Sequence, residues 1–155
     1  MTNYHRTASW LKACGKAPSA SDLSVQIGCH IEEFREFIEQ IDVTDPVAES
    51  YLLVVTDILE KMAKQIKSRT VLATIPPQCR PGALDALCDM EVTGNGVAYL
   101  AGFNKPAADA AVLDANDRKL VDGKPVLLEG GKIGKPEGWK APDLANYAWE
   151  GLGHD

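Results

Sequence analysis

Two observations in this sequence predict an all-α protein. Apolar residues recur at helical spacing in successive segments, each closed by Gly or Pro. After Leu120 that pattern stops, and short apolar runs separated by glycines take over. The expected architecture is a helical bundle of about five helices with an irregular C-terminal arm that contains a short β-hairpin. A chain of 155 residues is long enough for one domain with its own core. Residues 1–120 are expected to form the helical core, and residues 121–155 the arm of the same domain.

The first helix covers residues 3–15, with Tyr4, Ala8, Leu11 and Cys14 on one side and Gly15 and Pro18 as its stop. Ser21 or Asp22 caps the second, which runs to Ile41 until "DVTDP" breaks it. The third, residues 47–67, sets Ala48, Leu52, Val55, Ile58, Leu59, Met62 and Ile66 at helical spacing. "TIPPQCRPG" is a rigid connector to a fourth helix over residues 81–101, ended by "GFNKP"; a fifth covers 106–117. In "VDGKPVLLEGGKIGKPEGW" two apolar runs flank Glu129–Gly130–Gly131, which predicts a hairpin turning there. The final "APDLANYAWEGLGHD" reads as a loosely packed tail.

Composition narrows the function classes. At 45% hydrophobic and 25% charged residues the chain is ordinary for a globular protein. A net charge of −6 argues against nucleic acid or an anionic membrane as partner, and clustered acids point to cations. Cys14, Cys29, Cys79 and Cys88 show neither CxxC spacing nor a grouping with histidine, which argues against zinc. Cys29 and Cys88 sit at helical apolar positions, where free cysteine is a small buried hydrophobe. No apolar run approaches the ~20 residues of a membrane span, and no signal-peptide pattern opens the chain. A reduced cytoplasmic protein is expected.

The chemistry lies in the acids. On a wheel at 100° per residue, Ile27, Ile31, Phe34, Ile38 and Ile41 form one stripe of the second helix. Glu32, Glu36 and Glu39 lie opposite, with Glu33 on the flank. Alone, that is any solvated helix face. The fourth helix differs, because from Ala83 to Phe103 its only ionisable side chains besides Cys and Tyr are Asp85, Asp89 and Glu91. Asp85 and Asp89 share a face, one turn apart. A helix apolar almost all round is expected to be buried, and burial would take both aspartates from water. Neighbouring carboxylates also repel, by roughly 4 kcal/mol at ~4 Å with an effective dielectric near 20. Cations resolve both costs, and acids from two helices make an oxygen-rich site suited to Mg²⁺ or Mn²⁺.

Other sites do not fit. The chain has no Glu-x-x-His of helical di-iron proteins and no EF-hand loop. "EGGKIGKP" lacks the first Gly of a phosphate loop and has Pro136 where Ser or Thr belongs, so it reads as a turn.

Three segments in order carry a family likeness: "QIGCHIEEFREFIEQI", "ALDALCDMEVTGNGVAYLAGF" and "ANDRKLVDGKPVLLEGGKIGKPEGWKAPDL". Together they resemble the all-α nucleoside triphosphate pyrophosphohydrolases, the superfamily of MazG-like, phosphoribosyl-ATP pyrophosphohydrolase-like and dimeric dUTPase-like proteins. The likeness is nearest to small MazG-like members of phages and prophages, and covers roughly residues 20–145. It implies that Glu33 and Glu36 are metal ligands from an ExxE element, with Glu32 beside them; as the spare carboxylate, Glu32 is the expected acceptor of the water's proton. Asp89 matches the acidic end of the later ExxD element. Ala86 stands where that element has Glu, and Asp85, one residue earlier, shares Asp89's face.

The same resemblance assigns Asn116 and Lys119 to the phosphates, with Lys124, Lys132 and Lys135 adding charge and Asn95 or Trp139 against the base. The implied reaction is hydrolysis of a (d)NTP, a purine dNTP in a pool-adjusting role, to a monophosphate and pyrophosphate. Mg²⁺ or Mn²⁺ is the implied cofactor. A homodimer or homotetramer in the cytoplasm of a bacterium or phage host is the implied setting, with no nucleic-acid or membrane partner. The alternatives are a phosphoribosyl-ATP pyrophosphohydrolase and a non-enzymatic, metal-binding helical interaction module.

Overall fold

The computed structural model describes residues 1–128 and 133–148. The class expectation holds: five α-helices are followed by a short antiparallel hairpin. The chain divides into two compact units, Pro18–Pro77 and Met1–Ala17 with Gln78–Asp155.

In the unit Pro18–Pro77, Ser19 caps α2 (Ala20–Ile38) by accepting from Asp22 N at 3.1 Å. α3 (Pro46–Lys67) starts at Asp45, whose carboxylate accepts from Ala48 N at 2.8 Å, with Pro46 in the first turn. Asp22 and Glu49 near the N-termini and Lys64 and Lys67 near the C-terminus of α3 suit the helix dipoles. α2 and α3 pack as a hairpin. Gly28 permits their close approach, for a Cβ there would stand 2.8 Å from Lys67 Cγ and 3.2 Å from Lys67 N. Ser24 is fully buried, and its hydroxyl accepts from Ala73 N at 2.9 Å, which ties the following connector to α2. Ile38, Ala63 and Ile66 complete the buried set.

In the other unit, Thr2 caps α1 (Asn3–Ala13) and Asn104 caps α5 (Lys105–Asp117). α1 lies against α5 through Arg6, which is ion-paired with Asp114 and Asp117. Those hydrogen bonds, Asp114's first, raise the guanidinium's pKa further. α4 (Arg80–Leu100) ends where Gly102 takes a φ of 72°. The 3-10 turn Ala145–Tyr147 meets the start of α5, where Asn104 N donates to Tyr147 O at 2.8 Å.

A further hairpin, of β1 (Leu120–Val121) and β2 (Lys124–Pro125), turns at Asp122–Gly123, upstream of the expected pairing around Glu129–Gly131. Both turn residues have positive φ, 52° and 73°, the requirement of a primed two-residue turn that Asp-Gly meets. The next apolar runs do pair, through a Leu127–Ile133 bridge and Gly134 N donating to Val126 O at 2.7 Å. Residues 129–132, the predicted turn and Lys132 among them, lie outside the described residues.

One expectation needs correction, and it concerns burial. α4 is not a buried helix in this chain: Leu84 is 64%, Val92 68% and Leu100 79% exposed, and only Ala98 is buried. Cys88 is exposed with it, and Cys29 is half-buried. Phe34 and Phe37 on α2, and Ile41 just after it, are also exposed.

Candidate functional site

The C-terminal end of α5 gathers Asn116, Lys119 and Trp139, three of the residues assigned to substrate. The last carbonyls of a helix lack intrahelical partners, and two indoles supply them here. Trp10 Nε1 donates to Asn116 O and Trp139 Nε1 to Ala115 O, each at 2.8 Å. Lys119 Nζ donates to Asn116 Oδ1 at 2.8 Å. Its ammonium lies 5.8 Å from the Trp10 ring centroid and 5.4 Å from that of Trp139. Lys135 approaches Trp139 at 4.7 Å. All these distances fit cation–π attraction. The result is a half-buried amide and cation between two aromatic rings, chemistry that suits a phosphate and a flat base. Trp10 was not foreseen.

The acids are distributed between the units. Glu32, Glu33 and Glu36 stand on α2 in the unit Pro18–Pro77, and Asp85 and Asp89 on α4 in the other. Glu32 is ion-paired with Lys67. Glu36 meets Arg35 at 3.4 Å, while Glu39 is paired with the same guanidinium. Glu33 is exposed on α2. Asp85 and Asp89 are exposed on α4, and among the described residues no side chain pairs with either carboxylate. Among the described residues, no group of three or more His, Cys, Asp or Glu side chains gathers at one point. Carboxylate oxygens are the donors that Mg²⁺ and Mn²⁺ take, so the residue types fit. Asn95 is exposed on α4, and Lys124 is exposed on β2.

Cys14 is the one buried thiol among the described residues, and burial pushes its pKa up. It has no part in the cluster. Compared with protein-family models, curated proteins and solved structures, the chain finds no significant match in any of the three. No helix among the described residues is long and apolar enough to cross a membrane.

Proposed function

We propose that this protein is a (d)NTP pyrophosphohydrolase that depends on Mg²⁺ or Mn²⁺ and acts as a homo-oligomer. The observation that carries the reading is the Asn116–Lys119 pair between Trp10 and Trp139. It joins a cation, an amide and two aromatic faces in one place, as a nucleotide's phosphates and base require. The ordered acidic motifs of α2 and α4 supply the rest.

Glu33, Glu36, Asp85 and Asp89 would hold the metal, which would supply neutralisation of phosphate charge and orientation of water. Lys119 and Asn116 bind the departing phosphates, which requires Lys119 to exchange its hydrogen bond to Asn116 Oδ1 for a phosphate oxygen. Lys135 and Lys124 add positive charge. Trp139 offers a ring for stacking, and Asn95 an amide. Glu32 takes the water's proton once its pair with Lys67 loosens. The non-enzymatic reading is favoured by one feature, the mutual satisfaction of Asn116 and Lys119.

Incubation with each of the eight common NTPs and dNTPs, and separately with phosphoribosyl-ATP, plus Mn²⁺, followed by chromatography, separates the readings. Monophosphate from a subset supports the enzyme and identifies the base. No turnover of any supports the interaction module, and turnover of phosphoribosyl-ATP alone supports the histidine-type hydrolase.

A further inference from the structure

We propose that Lys67 is a positioning residue that keeps Glu32 from joining the metal ligands, so that this one carboxylate of α2 stays available for the water's proton. Glu32 has that role under the proposed function, on which this inference rests. Lys67 is the last residue of α3, and its Nζ donates to Glu32 Oε2 across the hairpin, 35 residues away in sequence. The two preceding lysines are placed differently. Lys61 pairs with Asp57 at 2.6 Å and Lys64 with Glu60 at 2.5 Å, both along α3 itself. Exposed pairs of that kind contribute little. Lys67, in the next turn, leaves its own helix for α2.

The sequence of α2 builds the path for that side chain. Ser24, Gly28 and Glu32 are spaced four residues apart, so they follow one another along a single face, one turn at a time. Ser24 is fully buried and accepts from Ala73 N at 2.9 Å, which fastens the chain just after α3 to this line. A Cβ at position 28 would stand 2.8 Å from Lys67 Cγ, 3.1 Å from Ile66 Cγ2 and 3.2 Å from Lys67 N. Glycine is what lets the end of α3 and the Lys67 stem lie this close. Ile66 is buried beside it and fixes the backbone from which the stem starts. The stem crosses α2 at Gly28 and delivers its ammonium one turn on, at Glu32. The Lys67 side chain is 28% exposed, against 69% for Lys61 and 72% for Lys64, so water and salt screen its pair less.

This tie divides the acids of α2 by task. A carboxylate already neutralised by a fixed ammonium attracts a dication less, and the ammonium itself repels one. Glu33, turned about 100° from Glu32 on the helix, and Glu36 stand off the line that Lys67 follows. Affinity for a divalent ion rises with the number of carboxylates that reach it, so holding Glu32 back lowers metal affinity. The gain is chemical, because a carboxylate whose oxygens face a cation holds a proton poorly.

Mn²⁺ binding to the whole chain without nucleotide, read by electron paramagnetic resonance, tests the proposal beside steady-state kinetics. Lys67→Met should bind Mn²⁺ on the order of fivefold more tightly than the parent. It should lose about tenfold in kcat at saturating metal, with little change in KM. Lys67→Arg, which keeps the cation, should stay close to the parent in both. In a Glu32→Gln background Lys67→Met should change Mn²⁺ affinity less than twofold, because the carboxamide has no charge to release. Unchanged or weaker Mn²⁺ binding by Lys67→Met, an unchanged kcat, or the same gain in the Glu32→Gln background overturns the proposal and leaves the pair a structural tie. The predicted gain in affinity without triphosphate turnover by the parent contradicts the enzymatic reading and leaves the hold of Lys67 on Glu32 in place. Turnover by the parent with Mn²⁺ affinity indifferent to Lys67 contradicts this inference alone, and a parent that binds no Mn²⁺ overturns both.

Discussion

The ammonium of Lys119 lies 5.4 Å from the ring centroid of Trp139, and the same indole donates to the carbonyl of Ala115 at 2.8 Å. One tryptophan thereby closes the end of α5 and positions a cation beside it. A Trp139→Phe substitution keeps an aromatic face but loses the hydrogen bond, a net loss of about 1 kcal/mol. Trp139→Ala loses the cation–π contact and the packed ring as well and should cost about 3 kcal/mol. Urea unfolding monitored by circular dichroism measures both.

Lys119→Gln separates phosphate binding from structure. If the cation binds the departing phosphates, turnover falls on the order of 100-fold, about 2.7 kcal/mol of barrier, while the stability loss stays near 1 kcal/mol. Equal turnover in the variant would leave Lys119 a structural role only. Steady-state kinetics beside a melting curve distinguish the two.

The acids should sort by their partners. Asp89→Asn and Glu36→Gln are each expected to remove most activity, roughly 100-fold or more, with the helical signal intact. Glu39→Gln should change turnover less than threefold, because Glu39 is committed to Arg35. Metal-free, Asp89→Asn should melt no lower than the parent, since it removes a like charge one turn from Asp85.

Mg²⁺ or Mn²⁺ at a hundred times its Kd should stabilise the protein by about 2.7 kcal/mol, a melting shift of roughly 5–10 °C. EDTA should reverse the shift and stop turnover. An unchanged melting curve counts against the carboxylates as ligands.

Thiol reactivity follows burial. At pH 8 Cys79 and Cys88 should react rapidly with a disulfide reagent and Cys29 more slowly. Cys14 should react only on unfolding, since burial raises its pKa and keeps it protonated. Because the unfolded thiol ionises at lower pH than the folded one, Cys14's contribution to stability is full below the unfolded pKa. It declines as pH rises through the folded value. Timed reaction before and after urea counts the thiols in each class.

Local signals were legible in the sequence and long-range ones were not. Asp45 before Pro46 starts α3 within a residue of its expected position, because a cap and its partner are three residues apart. The expected cap of α2 was displaced only from Ser21 or Asp22 to Ser19. The pairing of the apolar runs on either side of residues 129–131 was legible, as the Leu127–Ile133 bridge shows, whereas the two-residue hairpin at Asp122–Gly123 is an addition. Trp10 went unnoticed because its carbonyl partner, Asn116, lies 106 residues away. The apolar periodicity of α4 shows which surfaces need cover, but not whether the cover comes from the same chain.

The most direct test of the central claim is to follow one turnover of the preferred triphosphate in ¹⁸O-enriched water by ³¹P nuclear magnetic resonance. Cleavage between the α and β phosphates by water on the α phosphorus predicts pyrophosphate free of label and a monophosphate carrying one ¹⁸O. Label in pyrophosphate would contradict the point of attack, and diphosphate with labelled orthophosphate would contradict the reaction itself.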